Sequence, residues 1–555
     1  MKLILLVWIF LLAKTVVSQS LPRPSEAQYT WHEQERIMFV CLDPCTWQGR
    51  EYDNHSTPLE RINPKKLNTD QWCEAAQPWG AREILFVAKH TGGFCWWQTE
   101  TSDYGIKDTP YKNGKGDVLQ ALSESCKKYG LNLGIYVYPG DETWGAGIGS
   151  GGQTKDPAKQ EAYNKVFRQQ LTETLTRYGD VLEVWFDGSC KIDVSDILEK
   201  YAKNSVIFQG PHTNLRWAGT ESGKLFYPAW NTVKSEDLKT GVATEVAGDP
   251  DGDVWAPLEA NTTLYNHYWF WAPWKEKKRK SIDDLMTCYY KSVGYGSVFL
   301  LNSTPDTTGL IPQADMRLYK AFGEEIDRRF KTPLAAISDK KGAVISLPFP
   351  EKQSINHVIT MEDYRDGERI RSYKIEGLTD GKWKTLCTGQ SVGRKKIDYF
   401  PDVEASEIRI VVDKSAGVPL IRNFAVFYVK DFIAPPKTTI RPYSSWKQVA
   451  EWRPEKFKGG RAEFKIDLSK NINLPGQYSV RLTPENKTSK IKIEKAEIYY
   501  EGRKALAEFI TIKGNAININ RTAMVTDESR SVLLLWLKSA HSGKGKVEFR
   551  PAIIY

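Results

Sequence analysis

Short apolar runs alternate with longer amphipathic segments through the first half of the chain. The run 181–188 (VLEVWFDG) is too short for a helix, is rich in β-branched and aromatic residues and is flanked by Gly-containing pairs, so it predicts a buried strand. Similar runs predict strands over residues 37–42, 84–89, 131–138, 206–209 and 297–301. The segments between them predict helices over residues 69–76, 117–129, 157–178, 194–202 and 281–293.

A strand followed by a helix, repeated over roughly 300 residues, is the pattern of a parallel (β/α) barrel of the TIM type. We therefore predict an α/β fold built around such a barrel. An open, doubly wound parallel sheet is the alternative. No Gly-x-Gly-x-x-Gly motif opens a helix after the first strand, which disfavours a dinucleotide-binding sheet.

Polar side chains follow several of the predicted strands at the points where those strands end. Glu51, His90, Tyr136, Asp187 and the segment after Gln209 lie at or just beyond these carboxyl ends. A barrel gathers the carboxyl ends around one mouth, so the fold predicts that these side chains converge on an active site. Each position also has a structural alternative: a tight turn at Asp187, a buried hydrogen bond at His90, a core position for Tyr136 and a solvated loop position for Glu51.

Length and composition limit the function classes. A chain of 555 residues is long enough for two to four domains, one of which can be a large enzyme core. The aromatic share is high at 12%, with 19 Trp and 26 Tyr, and flat rings with polar edges favour carbohydrate weakly. The net charge of +9 is spread over the chain without a dense Lys/Arg block, so no nucleic-acid partner is predicted.

The N-terminus has the features of a cleavable secretory signal. A basic residue precedes an apolar run over residues 3–13 that is too short to span a bilayer, and small residues follow it. We predict a signal peptide over residues 1–18 and an exported protein, periplasmic or secreted, without a membrane span. The eight Cys residues do not form a disulfide framework in a chain of this length. Whether Cys41 and Cys45 form a disulfide is open.

Beyond about residue 331 the pattern changes to short alternating segments, which predict antiparallel strands. We assign the barrel to residues 19–335, a β-sandwich domain to residues 336–430 and a second β-rich domain to residues 431–555, with a linker at 434–437. Such domains bind glycan or support the barrel. Support is favoured, because no cluster of exposed aromatic residues can be recognised in them.

Several blocks of the barrel segment form a recognisable set. They are 88–97 (AKHTGGFCWW), 101–104 (TSDY), 114–118 (GKGDV), 134–136 (GIY), 183–188 (EVWFDG) and 214–223 (NLRWAGTESG). Together they resemble the α-L-fucosidases of glycoside hydrolase family 29, and the likeness spans roughly residues 35–330. The last block resembles the one that marks the subfamily preferring α-1,3/1,4-linked fucose in branched glycans.

The resemblance implies a retaining mechanism that uses two carboxyl groups. By position in the motifs, Asp187 would be the nucleophile and Glu221 the acid/base, with Glu259 as the reserve candidate for acid/base. One carboxylate attacks the anomeric carbon, while the other protonates the leaving oxygen and then activates water. Retention requires the two carboxyl groups to stand about 5–5.5 Å apart. The structural alternative for Glu221 is a loop acid.

The same resemblance implies the residues that recognise the sugar. Family positions that contact fucose hydroxyls or shape the site match Glu51, His90, Tyr136 and Arg216. The aromatic candidates for packing on the C5 methyl group are Trp47, Trp97 and Trp217. The substrate would be a fucosylated oligosaccharide or glycoconjugate, and the proposed hydrolysis needs no cofactor and no metal.

Two blocks depart from the family pattern. Cys41-Leu42-Asp43 stands where relatives have a His-Phe-Gly run, and residues 90–94 (HTGGF) stand where they have His-His-Asp-Gly-Phe. Two imidazole contacts to the sugar are therefore missing or replaced, which affects the sugar or aglycone preference more than the reaction. The alternatives are a glycosidase for a related L-configured sugar, such as α-L-galactose, and a catalytically impaired glycan-binding relative.

An acidic run at residues 249–253 (DPDGD) places three carboxylates at alternate positions, as a calcium loop does. The run lacks a suitably placed Glu for an EF-hand, and acidic loops rich in Pro and Gly are usually solvated turns. A turn is therefore the favoured interpretation.

Overall fold

The structure is a computed structural model. It describes residues 21–238, 248–266, 268–436, 446–472, 476–485, 491–500, 502–505, 510–521, 530–539 and 544–554. The predicted signal peptide and the end of the predicted linker lie outside the described residues.

Eight parallel strands in the described part of the chain form one sheet, ordered as in a barrel. They are β1 (Arg36–Val40), β2 (Glu83–Lys89), β3 (Asn132–Val137), β4 (Val181–Trp185), β5 (Val206–Phe208), β6 (Arg216–Trp217), β7 (Leu258–Thr262) and β8 (Val298–Ser303). Strands β1 to β5 are neighbours in chain order, β6 to β8 likewise, and β8 pairs in parallel with β1. Pairing of the last strand with the first is the closure of a barrel and not the order of a doubly wound sheet. The predicted TIM-like barrel is confirmed.

The ladder is interrupted between β5 and β6, where Asn214 links the two strands. The Asn214 N–H donates to the Ile207 carbonyl at 3.1 Å, and the Ile207 N–H donates to Asn214 Oδ1 at 2.7 Å. A short antiparallel pair, Thr232–Val233 with Val254–Trp255, lies in the connection from β6 to β7. The barrel is therefore nearly closed, with its one break beside the long β6–β7 connection.

Helices accompany the barrel strands, as the sequence pattern predicts. They are α1 (Glu26–Glu33), α2 (Cys45–Gln48), α3 (Thr69–Ala76), α4 (Val118–Tyr129), α5 (Gln160–Thr176), α6 (Ser195–Tyr201), α7 (Ile282–Lys291) and α8 (Gln313–Phe330). Local signals set their ends: Asp117 accepts a hydrogen bond from the Gln120 N–H at the start of α4, and Ser281 forms a capping box at the start of α7. Helices α1, α2 and α8 were not predicted. None of the described helices is both long and apolar enough to cross a membrane.

Side chains alternate between two apolar layers along the barrel strands. In β1, Phe39 belongs to the layer inside the barrel, whereas Met38 and Val40 pack in the layer between the sheet and the helices. The interior layer is rich in aromatic rings, including those of Tyr136 and Trp185. The side chain of Trp185 faces the interior. The same alternation therefore brings the side chain of Asp187, two residues later, to the interior side as well.

A six-stranded antiparallel sheet follows the barrel, in agreement with the change of pattern. Its strands are Ala335–Lys341, Val344–Glu362, Ile370–Thr379, Lys382–Gly389, Lys396–Ser415 and Leu420–Phe427. Buried polar contacts join it to the barrel segment: Asn231 Nδ2 donates to Glu368 Oε1 at 2.6 Å, and the Tyr290 hydroxyl lies 2.8 Å from His357 Nε2. These contacts hold the sheet against the barrel.

Two further sheets form the C-terminal part. Five strands, Lys447–Trp452, Gly476–Pro484, Ile510–Lys513, Ala516–Arg521 and Gly545–Ile554, make one sheet, and four, Arg461–Asp467, Ile491–Tyr500, Arg503–Lys504 and Ser531–Ser539, make the other. One apolar core contains residues of both sheets, among them Val480 and Phe549 from the first and Ile466 and Leu535 from the second. The two sheets therefore pack face to face as a sandwich, as the fold prediction expects.

Candidate active site

Asp187 lies two residues beyond the end of β4, on the interior side of the barrel. Its Oδ2 accepts a hydrogen bond from the Tyr136 hydroxyl at 2.9 Å. The next residue, Gly188, has a φ of 70° and donates its N–H to Gln209 Oε1 at 2.7 Å. Burial raises the pKa of Asp187, while the hydrogen bond from Tyr136 opposes that rise. The result is a half-buried carboxyl group that is held by Tyr136 of β3, while Gln209, just past β5, fixes the backbone of the next residue.

Aromatic rings form the interior wall next to Asp187. Trp185 stacks on Phe208 with ring centres 4.0 Å apart, and its ring centre lies 5.5 Å from that of Tyr136. The ring centre of Phe39, from β1, lies 5.8 Å from that of Tyr136 and 5.2 Å from that of Trp185. These rings offer flat apolar faces to a ligand next to the carboxyl group.

His90 follows β2 directly and is surrounded by rings. Its imidazole centre lies 5.0 Å from that of Phe270, 5.9 Å from that of Tyr136 and 6.0 Å from that of Tyr138. Tyr52 is parallel to it within 8° at 6.2 Å. Burial lowers the pKa of His90 to about 3, so the imidazole is neutral and offers one donor and one acceptor.

Glu51 is fixed by the loop that follows β7. Its Oε2 accepts a hydrogen bond from the Trp269 N–H at 2.8 Å, and its Oε1 pairs with Lys275 Nζ at 2.6 Å. Burial, with smaller contributions from the charges of Glu51 and Asp187, raises the pKa of the Cys41 thiol. Both carboxylates therefore lie near Cys41, at the end of β1. The structure brings Glu51, Tyr136 and Asp187 to one end of the barrel.

Glu221 is buried in the connection that follows β6. The Gly223 N–H donates to the Asn261 carbonyl at 2.9 Å, which fixes this connection beside the carboxyl end of β7. Burial lowers the pKa of Lys280 to about 8, and the negative charge of Glu221 opposes that fall. Glu221 therefore lies close enough to Lys280 for their charges to interact, at the end of the barrel where Asp187 is found.

The two residues of β6 face different surroundings. Trp217 is half-buried, packs against the interior aromatic layer and donates its Nε1–H to Asn261 Oδ1 at 2.9 Å. Arg216 is fully buried, and its Nε donates to the Ala256 carbonyl at 2.9 Å while its Nη2 donates to the Trp230 carbonyl. Trp217 thus reaches the interior, whereas Arg216 ties down the backbone of the β6–β7 connection.

Two other aromatic candidates pack in the outer layer of the barrel. Trp97 is fully buried, and its Nε1–H donates to Glu173 Oε2, on α5, at 2.9 Å. Trp47 is half-buried and stacks on Trp96 with ring centres 6.5 Å apart. Both rings belong to the packing between the sheet and its helices.

Three buried glutamates meet deep inside the barrel. They are Glu83, the first residue of β2; Glu183, the third residue of β4; and Glu259, the second residue of β7. Trp31 Nε1 donates to Glu183 Oε2 at 2.8 Å, and Gln34 Nε2 donates to Glu83 Oε2 at 2.7 Å. Burial is the main cause that raises the pKa of all three carboxyl groups, and for Glu259 it raises the pKa to about 8.

This cluster is separated from Asp187 along the strand direction. Glu183 stands four residues before Asp187, which corresponds to about 13 Å of extended chain. Glu259 contacts Glu183 and therefore lies at that depth. Of the two acid/base candidates, Glu221 lies at the mouth and Glu259 lies inside the barrel.

Comparison with known proteins decides the family. The model of the family described as alpha-L-fucosidase matches residues 19–328, more than half of the chain. The chain belongs to this family. It is therefore a glycoside hydrolase of fucosyl linkages, and the resemblance seen in the sequence is confirmed.

Individual relatives agree with the family. An Oryza sativa protein described as putative alpha-L-fucosidase 1 is 30% identical over 456 residues, covering 73% of this chain and 85% of that protein. The structure of a putative alpha-L-fucosidase from Bacteroides thetaiotaomicron is 35% identical, with a TM-score of 0.69, and covers 74% of this chain and 100% of that one. A Ruminococcus gnavus GH29 fucosidase in complex with fucose is 25% identical, with a TM-score of 0.64. The match covers 74% of this chain and 95% of that one.

Small side chains occupy the two positions where this fucosidase lacks the expected histidines. Cys41 is buried at the end of β1, close to Asp187. Thr91 is also buried, and its Oγ1 lies 3.4 Å from His90 Nδ1. Cys41 and Cys45 are both free thiols in the structure, so they do not form a disulfide there.

The carboxylate of Asp53 lies beside Gly92, the residue of the same block at which the sequence analysis expects an aspartate in relatives. A Cβ atom added at Gly92 would stand 2.1 Å from Asp53 Oδ2, so Asp53 fills the space next to this glycine. The Tyr104 hydroxyl donates to Asp53 Oδ2 at 2.7 Å, and Gln48 Nε2 donates to its Oδ1 at 2.7 Å. The carboxylate next to Gly92 therefore comes from Asp53, which lies in the segment after β1 and not in the block that follows β2.

The loop after β7 supplies residues that the sequence analysis did not single out. Trp269 and Phe270 are buried in the interior aromatic layer, and Lys275 pairs with Glu51. The available signal was the run of four aromatic residues at 268–271 (YWFW). Gln209, which accepts the Gly188 N–H, has a φ of 58°, a conformation that no sequence pattern predicted.

The acidic run at residues 249–253 forms a turn. Asp249 Oδ1 accepts the Asp251 N–H at 2.8 Å, and Asp253 Oδ1 accepts the Ser235 N–H at 2.6 Å. These carboxylates therefore bond to the backbone of the turn and its neighbour, as the favoured interpretation expects.

Replacing Glu259 by Gln is expected to stabilise the protein more at pH 8 than at pH 5. The pKa of Glu259 is raised from 4.5 to about 8, so the folded carboxyl group keeps a proton that the unfolded chain releases. The stability that the protonated Glu259 contributes is fully present below pH 4.5. As the pH rises from 4.5 through 8, the free energy of unfolding falls by up to about 5 kcal/mol because the unfolded chain releases this proton. The amide of Gln does not ionise and escapes the loss. Thermal unfolding midpoints of both proteins from pH 4.5 to pH 8.5 measure the difference.

Glu60→Gln is the matched control, because Glu60 is exposed. This variant should follow the wild-type midpoint at every pH. A stability difference for Glu259→Gln that does not change with pH would contradict the prediction.

Proposed function

We propose that this enzyme removes terminal α-L-fucosyl residues from glycans with retention of the anomeric configuration. Asp187 is the nucleophile and Glu221 is the acid/base. The main support is the position of Asp187, a half-buried carboxyl group just past β4 that accepts the Tyr136 hydroxyl at 2.9 Å. In barrel enzymes the reacting groups stand at the carboxyl ends of the strands.

In the first step, an Asp187 carboxylate oxygen attacks the anomeric carbon as the bond from that carbon to the glycosidic oxygen breaks. Glu221 transfers its proton to the leaving oxygen, so the aglycone departs as an alcohol. The sugar remains attached to Asp187 as an ester. The hydrogen bond from Tyr136 favours the ionised form of Asp187, which is the form that attacks.

In the second step, the ionised Glu221 takes a proton from a water molecule that attacks the same carbon. The ester bond breaks, Asp187 is released as a carboxylate, and fucose leaves with its original configuration. This mechanism needs the second carboxyl group within about 5–5.5 Å of the first. Glu221, at the same end of the barrel as Asp187, suits this role, whereas Glu259 lies too deep.

The sugar is recognised by polar groups around Asp187 and by aromatic faces. We assign hydroxyl contacts to Glu51, His90 and Tyr136, whose positions converge at this end of the barrel. Trp217 supplies an aromatic face for the C5 methyl group, together with Trp269 and Phe270. Arg216, Trp47 and Trp97 act through packing, since their contacts are to loop backbone and to the outer layer.

The substrate assignment has two supports. A relative has been solved with fucose bound, and the block 214–223 resembles the subfamily that prefers α-1,3/1,4 linkages. The N-terminal segment supports export after removal of residues 1–18, so the substrate would be a fucosylated oligosaccharide or glycoconjugate outside the cytoplasm. We divide the mature chain into the barrel of residues 19–335 and two β domains, 336–430 and 431–555.

The test compares two aryl glycosides that differ only at C6, an α-L-fucoside and an α-L-galactoside. We expect kcat/KM to favour the fucoside at least about tenfold, because an aromatic face that packs on a methyl group gains little from a hydroxymethyl group. Proton NMR during hydrolysis should show α-L-fucose before mutarotation. Preference for the galactoside would overturn the sugar assignment, and β-L-fucose as first product would overturn retention. Absence of hydrolysis with measurable fucoside binding would favour the glycan-binding alternative.

A further inference from the structure

Three potential metal ligands from two loops meet next to β1 and β2. Asp43 and Cys45 follow β1, and His90 follows β2. Cys45 Sγ lies 3.0 Å from Asp43 Oδ2, and His90 Nδ1 lies 3.9 Å from the same oxygen. All three ligand atoms lie within 4.8 Å of one another, and all three side chains are buried.

The donor set matches the preferences of zinc. Thiolate, imidazole and carboxylate are its usual ligands, at about 2.0–2.3 Å from the ion. In a tetrahedral site those bond lengths put neighbouring ligand atoms about 3.3–3.8 Å apart. The distances of 3.0 and 3.9 Å lie close to this range, and the third pair, Cys45 with His90, lies within 4.8 Å, so side-chain movements of about 1 Å would complete the geometry.

The polar groups of this cluster are incompletely satisfied without a cation. Asp43 is fully buried, and its Oδ1 has no hydrogen-bond partner among the described residues. Among the described residues, its Oδ2 accepts hydrogen bonds from the thiol and the backbone N–H of Cys45. An unpaired buried carboxylate oxygen is costly, and a bound cation removes that cost.

The surrounding charges also favour a cation. Asp53 is close enough to Asp43 for their charges to interact. It accepts hydrogen bonds from Gln48 and Tyr104, and its Oδ2 lies 3.7 Å from His55 Nε2.

We propose that Asp43, Cys45 and His90 bind one divalent transition-metal ion, with zinc as the best match. The thiol of Cys45 loses its proton to solvent on binding, and the thiolate, the Asp43 carboxylate and the neutral imidazole supply three ligands. With Nδ1 on the metal, the imidazole proton resides on Nε2, which fixes His90 as a donor on its other side. This last consequence rests on the proposed role of His90 in sugar binding, whereas the metal site itself does not.

The test measures metal binding directly on the full-length protein. After treatment with a chelator and reducing agent, wild-type protein should bind one equivalent of Zn²⁺ by mass spectrometry of metals. With Co²⁺ it should show the near-ultraviolet charge-transfer band of a cobalt–thiolate bond. Cys45→Ser and Asp43→Gly should each weaken Zn²⁺ binding more than about 100-fold, since loss of even an outer-shell partner costs 10- to 100-fold.

Cys387→Ser is the matched control, because Cys387 is a free thiol on a strand of the six-stranded sheet. It should keep both the stoichiometry and the cobalt band. The wild-type cobalt spectrum needs no variant, so it can overturn the proposal even if a substitution prevents folding. Absence of the band in folded wild-type protein, or an unchanged band in Cys45→Ser, would overturn the metal site. Hydrolytic activity is not the readout, so failure of the proposed function would leave this result intact.

Discussion

Asp187→Asn is expected to lower kcat for an aryl α-L-fucoside by at least about 10³-fold. The amide keeps the size of the side chain and its contact with the Tyr136 hydroxyl, but it cannot form the ester to the sugar. Its KM should change little, because the groups assigned to bind hydroxyls are untouched. Steady-state rates and a thermal unfolding midpoint on the same preparation give both the loss and the integrity of the fold.

Asp180→Asn is the matched control for this prediction. Asp180 is exposed and lies at the opposite end of the same strand, immediately before β4. It should retain wild-type kcat. A second check uses Asp187→Gly with azide, which can replace the lost carboxylate and should yield fucosyl azide of inverted configuration. Near wild-type activity in Asp187→Asn would exclude Asp187 as the nucleophile.

Glu221→Gln is expected to lower kcat/KM for a fucosylated glycan by about 10²–10⁴-fold, because a poor leaving group needs a proton in the first step. An activated aryl fucoside should behave differently. Its leaving group departs without protonation, so aryl release should begin with a burst and continue slowly, since water attack has lost its base. The decline of the wild-type rate on the alkaline side of its pH profile should disappear with this carboxyl group.

Glu259→Gln supplies the comparison for Glu221. Because Glu259 lies inside the barrel, away from the proposed sugar site, this variant should keep the wild-type pH profile. It should also keep the wild-type ratio of the hydrolysis rates for the glycan and the aryl fucoside. A burst in Glu259→Gln, together with ordinary kinetics in Glu221→Gln, would reverse the assignment of the acid/base. Both proteins should be checked for folding, because Glu259 belongs to a buried cluster of carboxyl groups.

The order of strands and helices could be predicted because it depends on local pattern. The run at 181–188 identified β4 and put Asp187 just beyond its end, and the structure has β4 at Val181–Trp185. The convergence of Glu51, Tyr136 and Asp187 followed from the barrel geometry, since parallel strands end at one mouth. These predictions needed only the period of apolar residues and the rule for strand ends.

The aromatic lining could not be predicted in the same way. A Trp ring fits a protein core as well as a sugar face, so Trp97 and Trp269 carry the same chemical signal. The structure buries Trp97 against α5 and puts Trp269 in the interior layer. Only the path of the chain after each strand decides which layer a ring enters.

The sequence by itself determined the barrel, the family and the acid at the end of β4, because strand periodicity and motif spacing are local properties. The tertiary structure alone decided the depth of Glu259, the outward packing of Arg216 and the meeting of Asp43 with His90. The depth of Glu259 depends on where its strand begins relative to the neighbouring strands. The contact between Asp43 and His90 depends on the paths of the two loops that follow adjacent strands. Both arise from contacts between residues far apart in the chain, which no local pattern encodes.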